Sequence, residues 1–428
     1  MAKKIYLETH GCSANFADSE IMAGLLKEAG FELVGKPENA DLIILNTCNV
    51  KTPTSNKMIN RIKFLAKFGK PLIIAGCMPK TERERIEKIS PNASLIGPDS
   101  ILKIVEAVEQ TLKGKKVVLL DEILFDKLGY PRIRKNPVIG IVPIASGCLS
   151  YCTYCITRFS RGRLRSYPEE KIIEEIKRFL KEGAKEIWIT SQDNSVYGFD
   201  KRTNLANLLN KICKIDEKFF VRVGMMNPSY IKFFLNELIE AFKCEKIFKF
   251  IHIPVQSGSN RILARMKRGY TREEFLEIVE KFKKEIRRIT ISTDVIVGFP
   301  GETDEDFEET IELIKEVRPD IVNISKFGAR PGTEAAKLKQ LPPKIVKKRT
   351  RELYELVRKI QLENNKKWVN WEGEVLIDEI GTKEGTFVGR NFAYKPIVVK
   401  GNELLGKFVK VKVEKALSNY LLGILIKD

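Results

Sequence analysis

Over its first 115 residues the chain alternates short, unbroken apolar runs with amphipathic stretches. KIYLE (4–8), DLIILN (41–46) and PLIIAG (71–76) have the length and continuous apolarity of strands buried on both faces. The intervals 18–29, 54–67 and 81–88 carry helical spacing, which predicts a parallel sheet covered by helices on both sides. The stretch 126–137, DKLGYPRIRKNP, is rich in proline and charge and is read as a linker. From 138 to 328 the strand-then-helix pattern returns, with strands expected at 139–145, 186–191, 220–225, 249–255, 290–299 and 321–327. Helices are expected in the intervals, for example over 168–182 and 271–285. Six such units in series predict a barrel or partial barrel whose chemistry sits in loops at the strands' carboxyl ends. A long helix is expected over 342–370. After Trp371 short strands with glycine turns predict a small all-β module, barrel-like by spacing. The expected fold class is therefore α/β, divided into 1–125, 134–366 and 367–428.

Composition narrows the functional classes. No segment of the 428 residues approaches the ~18 consecutive apolar residues of a membrane span. The first residues, MAKKIYLETHG, lead directly into a strand pattern, so a cytoplasmic protein without membrane attachment is expected. The formal charge of +19 points either to a polyanionic partner or to a lysine-rich surface. Eight cysteines beside two histidines argue against several mixed zinc sites and for thiolate-rich iron–sulfur ligation.

The sharpest motif is ASGCLSYCTYCITR, which sets Cys148, Cys152 and Cys155 in a C-x3-C-x2-C spacing after the first barrel strand. Three thiolates there can hold three corners of a 4Fe–4S cluster and leave the fourth iron open to a cofactor. A zinc site would want a fourth Cys or His nearby, and none follows within thirty residues. Cys12, Cys48 and Cys77 each lie just past a predicted parallel strand. Carboxyl ends of neighbouring strands share one crevice, which predicts a second three-cysteine site. Cys213 and Cys244 fall in helical segments and are expected to pack in the core, with a helix–helix disulfide as the lesser alternative.

C-x3-C-x-aromatic-C at the end of a first barrel strand resembles the radical S-adenosylmethionine superfamily, with Tyr154 as the aromatic. In that superfamily the open iron chelates the methionine end, and one-electron reduction yields a 5′-deoxyadenosyl radical. The three-part chain as a whole resembles the methylthiotransferases. The resemblance is carried by GCSANFADSEIMAG, NTCNVKTPTSNK, AGCMPK, TSQDNSVYG, IPVQSGSNRILARMKRGYT, DVIVGFPGET and ARPGTEAAKL. FVGRNFAYKPIVV is similar to the TRAM domain, an OB-related RNA-binding barrel. DSEIMAG, NTCNVKTP, MMNPSY and HIPVQS are most like the archaeal and eukaryotic subgroup acting on N6-threonylcarbamoyladenosine in tRNA. Membrane attachment by the eukaryotic members' hydrophobic tail is not implied.

The resemblance implies two 4Fe–4S clusters and S-adenosylmethionine. The cluster on Cys148, Cys152 and Cys155 would cleave S-adenosylmethionine. That on Cys12, Cys48 and Cys77 would hold sulfur, which one S-adenosylmethionine methylates while a second supplies the radical that opens C2 of the adenine. A sulfur donor and a low-potential electron donor are implied partners. Loop positions make Gln192, Asp193, Gln256, Ser257 and Gly298 candidates for gripping S-adenosylmethionine. A turn or helix cap is the competing reading of these polar residues.

Basic residues are uneven. RFSRGRLR (158–165) offers Arg161, Arg163 and Arg165 directly after the barrel cysteines, and 344–367 holds nine Lys and Arg against three Glu, including Lys347, Lys348 and Arg349. Arg390, Phe392 and Tyr394 join a cation to aromatics, as stacking on unpaired bases would want. All nine are candidate RNA contacts, with a single-stranded loop such as the anticodon loop as target. Two alternatives stay open. One is the same chemistry on isopentenyladenosine tRNA or a ribosomal-protein aspartate; the other is a non-catalytic RNA-binding protein with structural zinc.

Overall fold

In the computed structural model, which describes residues 2–121 and 125–426, the early apolar runs form the centre of a six-stranded parallel sheet. Its order is Glu32–Val34, Lys4–Thr9, Leu42–Thr47, Leu72–Gly76, Ser94–Ile96 and Val118–Leu119. The three strands the sequence did not announce are two or three residues long, too short to form a run. Leu42, Ile44 and Ile73 face the helices Ser13–Glu28 and Ile104–Leu112. Their neighbours Ile43, Leu45 and Ile74 face Thr52–Ala66 on the other side. Consecutive connections thus leave to opposite faces between Lys4–Thr9 and Leu42–Thr47. That switch point opens a crevice at the carboxyl ends of the strands.

Six further strands run parallel in chain order: Ile139–Pro143, Glu186–Thr190, Phe220–Val223, Phe250–His252, Thr290–Val297 and Ile321–Lys326. They form two three-stranded sheets linked by a bridge between Val221 and Ile247, a partial barrel. Ile187, Val221, Ile251, Ile291 and Val295 point outward into the helical layer. By strand alternation Trp188, Arg222, Phe250, His252, Asp294 and Asn323 line the lumen.

The other two parts close this lumen. Phe16 and Ala17 of the helix Ser13–Glu28 pack on Ile139, Ile141 and Trp188, covering the open side. At the amino end, Tyr394 sits 4.7 Å from Phe248 and 5.1 Å from Phe250, ring to ring, with the Arg222 guanidinium 5.5 Å from its ring. At the carboxyl end, a Cβ on Gly328 would stand 2.3 Å from Thr52 Oγ1, and Arg330 pairs with Glu82 at 2.5 Å. The N-terminal loops therefore roof the barrel.

After the helix Pro343–Lys366, the strands Glu372–Ile380, Thr386–Arg390, Pro396–Lys400, Leu421–Leu425 and Phe408–Ala416 form a closed barrel in that order. Among the described residues no helix is long and apolar enough to cross a membrane.

Two expectations change. Segment 126–137 is irregular, as its prolines predict, and joins the sheet to the barrel, but buried ion pairs anchor it rather than leaving it free. Lys127 is bonded to Asp18, and Arg132 meets Glu175 at 3.0 Å, all buried. Cys213 and Cys244 do not merely pack: they form a disulfide, because the ends of the helices Leu205–Cys213 and Leu235–Phe242 lie side by side.

Candidate functional site

The loops after three adjacent strands bring Cys12, Cys48 and Cys77 to the switch-point crevice. Cys12 precedes the helix Ser13–Glu28, Cys48 follows Leu42–Thr47, and Cys77 opens the helix Cys77–Thr81. Asn15 ties all three loops. Its Nδ2 donates to the carbonyls of His10 and Thr47 at 3.0 and 2.9 Å, and its Oδ1 lies 3.8 Å from Cys77 Sγ. Gly76 has φ +93°, and a Cβ there would stand 2.5 Å from the Thr47 carbonyl, so only glycine lets the third loop approach. Burial pushes the Cys48 thiol up to about 12, and charge on Cys12 and Cys77 adds to the rise.

The second set lies in the loop beyond the first barrel strand. The Ser150 backbone N–H donates to Cys148 Sγ at 3.3 Å, and Arg268 Nη1 to Cys152 Sγ at 3.2 Å. Arg268 is itself held by the Pro254 carbonyl at 3.2 Å and by Asn227 Oδ1 at 3.3 Å. Burial pushes the Cys148 thiol up to about 12, reinforced by Asp193 and Cys155. Arg268 drew no notice in the sequence, because its partner stands 116 residues away.

A five-residue helix, Thr157–Arg161, joins the two sets. It starts two residues past Cys155, packs on Cys77–Thr81, and spans roughly 8 Å at 1.5 Å per residue. Its last residue corrects an expectation. Arg161 is no exposed RNA contact; it is buried, bonded to Asn15 Oδ1 at 2.7 Å and Asp18 at 2.9 Å, with Cys77 and Cys12 beside it. Ser13 and Thr190 add a second link across the parts, hydroxyl to hydroxyl at 2.6 Å.

Among the described residues no group of three His, Cys, Asp or Glu side chains is already drawn together around a single point. Each set instead presents three thiols from a crevice or a single loop, with a guanidinium against one of them. Cationic donors aimed at sulfur suit an anionic, thiolate-ligated iron–sulfur cluster.

The other candidates divide. Gln192 Oε1 accepts from the Gly147 N–H at 2.6 Å, fixing the cysteine loop. Asp193 caps a turn: its Oδ1 accepts from the Ser195 N–H and hydroxyl and from the Asn227 N–H. Ser257 likewise caps its own turn, accepting from the Ser259 N–H at 3.2 Å. For both, the contacts present are those of a turn or cap. Gln256 has φ +71°, a conformation costly for a side-chain-bearing residue, and no protein group among those described hydrogen-bonds its side chain. Gly298, φ +79°, packs against Val346.

The RNA candidates divide too. Arg349 is buried on Glu302 at 2.6 Å and Asp304 at 2.7 Å. Arg390 is bonded to Asp378 and Glu379 at 3.1 and 3.0 Å, and Tyr394 is the buried barrel floor. Phe392 is half-buried on Trp368 and Trp371. These four serve packing: Arg349 ties the long helix to the barrel, Arg390 and Phe392 pack within the terminal module, and Tyr394 docks that module on the barrel. Arg163, Lys347 and Lys348 are exposed, and Arg165 lies 3.8 Å from Asp99. At the cysteine loop the structure exposes Tyr151 (59%) and Phe159 (56%), with the Arg158 guanidinium 3.3 Å from the Tyr151 ring.

Three family patterns match the chain: the uncharacterised protein family UPF0004 at 4–97, the radical SAM superfamily at 142–314 and the TRAM domain at 367–426. A Pyrococcus abyssi protein named "Probable threonylcarbamoyladenosine tRNA methylthiotransferase" is 48% identical over 98% of this chain and 99% of its own. The human "Threonylcarbamoyladenosine tRNA methylthiotransferase" is 38% identical over 100% of this chain and 74% of its own. The chain belongs to the threonylcarbamoyladenosine tRNA methylthiotransferase family. It is therefore a transferase with a radical SAM domain. The UPF0004 match spans Cys12, Cys48 and Cys77, and the radical SAM match spans Cys148, Cys152 and Cys155. Among solved structures, the radical S-adenosylmethionine methyltransferase TsrM from Kitasatospora setae has a TM-score of 0.60 at 14% identity. That alignment covers 78% of this chain and 75% of TsrM, a likeness of fold.

Proposed function

We propose that this methylthiotransferase adds a methylthio group at C2 of N6-threonylcarbamoyladenosine at position 37, beside the tRNA anticodon. It uses one S-adenosylmethionine as methyl donor and a second as radical source. In this reading residues 1–125 store sulfur, 134–366 generate the radical and 367–428 dock the barrel floor and RNA, in the cytoplasm. Two 4Fe–4S clusters, one on Cys12, Cys48 and Cys77 and one on Cys148, Cys152 and Cys155, would supply the sulfur and the reducing electron.

The chain's own residues do the rest. Arg161 and Arg268 offset thiolate charge, Asn15 holds the N-terminal loops in register, and Gln256 and Gly298 stand at the barrel mouth for S-adenosylmethionine. Arg163, Arg165, Lys347 and Lys348 would attract the tRNA, with Tyr151 and Phe159 stacking on unpaired bases. The roof and floor would limit the access of water to a reactive radical.

The observation that carries the reading is the helix Thr157–Arg161, which holds the two cysteine sets at one mouth. Its test is a pair of variants in reconstituted enzyme. Cys152→Ala should abolish 5′-deoxyadenosine formation from S-adenosylmethionine. Cys48→Ala should keep it and stop sulfur insertion. Loss of 5′-deoxyadenosine in neither variant would contradict the assignment.

A further inference from the structure

The lumen below the cysteine loop is polar on one side. His252 Nε2 and Asn323 Nδ2 both meet Asp294 Oδ1, at 3.0 and 2.7 Å, from three adjacent strands. Among the described residues no protein donor reaches Asp294 Oδ2, and Asn323 Oδ1 accepts no protein hydrogen bond. Lys51 hangs over the same side: it precedes the helix Thr52–Ala66, and Thr52 abuts Gly328 just beyond the last barrel strand. Lys51 is exposed and, among the described residues, forms no ion pair. Burial works against the Asp294 carboxylate, yet His252, Asn323 and the Lys51 charge hold it below its ordinary range.

None of these groups serves the cysteines or packs a core. A purely apolar base substituent entering here would strand polar groups at about 1–3 kcal/mol each. A substituent with a carboxylate and a urea would satisfy them. We propose that Lys51, Asp294 and Asn323 form the subsite for the threonylcarbamoyl group, Lys51 pairing with its carboxylate and the Asp294–Asn323 pair with its urea. His252 is a positioning residue that orients Asp294. This inference rests on the function proposed above and names what selects its substrate.

The test uses the full chain with both clusters reconstituted and two tRNAs. One carries threonylcarbamoyladenosine; the other carries the same group with its carboxylate converted to the carboxamide. Wild type should show a KM on the order of 10- to 100-fold lower for the carboxylate, the worth of a hydrogen bond to a charged group. In Lys51→Gln that preference should fall to within about twofold, and in Lys51→Glu it should reverse. Asn323→Ala, remote from the cysteine loops, should raise KM for both tRNAs alike on the order of tenfold, with kcat kept. A Lys51→Gln enzyme with wild-type preference overturns the subsite alone. A wild type that modifies neither tRNA overturns the parent reading and the subsite with it.

Discussion

Arg161 shows how a single side chain can be read two ways. In sequence it is one arginine of a basic run; in the fold its guanidinium is buried on Asp18 and Asn15, where an RNA phosphate has no access. Charge counts cannot separate these cases, because burial depends on a partner 143 residues earlier in the chain. Asp306 makes a testable point at the same scale. Burial would raise its pKa, but Arg261, the Ser259 hydroxyl at 2.7 Å and the Thr303 N–H at 2.7 Å hold it well below the carboxylate range. A carboxyl depressed on folding stabilises above its unfolded pKa of about 3.9, and that contribution is lost as pH falls toward the folded value. Asp306→Asn should therefore lower the urea midpoint at pH 7 and lower it less at pH 3, where part of the contribution is already lost. An equal loss at both values would contradict this coupling.

At the scale of elements, the disulfide is the clearest unexploited restraint. Cys213–Cys244 closes a 31-residue separation around two helices and the strand Phe220–Val223. Chain entropy gives about 3–4 kcal/mol for such a loop. The double variant Cys213→Ser/Cys244→Ser should lose stability of that order in chemical denaturation, and an unchanged midpoint would contradict the estimate. The pairing was legible only as the alternative to core packing, since helix ends 31 residues apart leave no local signature. Strands were legible where the apolar or alternating pattern ran for five residues or more, as in LIILN and TISTDVIV, and invisible where they shrank to Glu32–Val34 or Val118–Leu119. The cysteines stood out because each follows such a run. Arg268 and Asn15 did not, because polar residues that reach across the fold carry no spacing. GRNFAY misled for the reverse reason: its composition suits RNA stacking, while tertiary docking spends Arg390 and Tyr394 on the barrel floor.

For the whole molecule, the three parts border one lumen, which stays open to solvent at Asn323. The N-terminal helix closes its side, the N-terminal loops its roof and the terminal barrel its floor. A polyanion must then approach from the mouth, along cations that remain exposed. Each exposed lysine that meets a phosphate adds roughly 0.9 to the slope of log affinity against log salt. Lys347→Gln/Lys348→Gln should weaken tRNA binding at low salt and flatten that slope by roughly 2, whereas an unaltered slope would remove this helix from the RNA path. The central claim is the reaction itself. Its most direct test is mass spectrometry of nucleosides from tRNA bearing threonylcarbamoyladenosine, incubated anaerobically with reconstituted enzyme, S-adenosylmethionine, sulfide and reductant. The account predicts conversion to the 2-methylthio nucleoside at position 37. Unchanged threonylcarbamoyladenosine, with 5′-deoxyadenosine still formed, would contradict it.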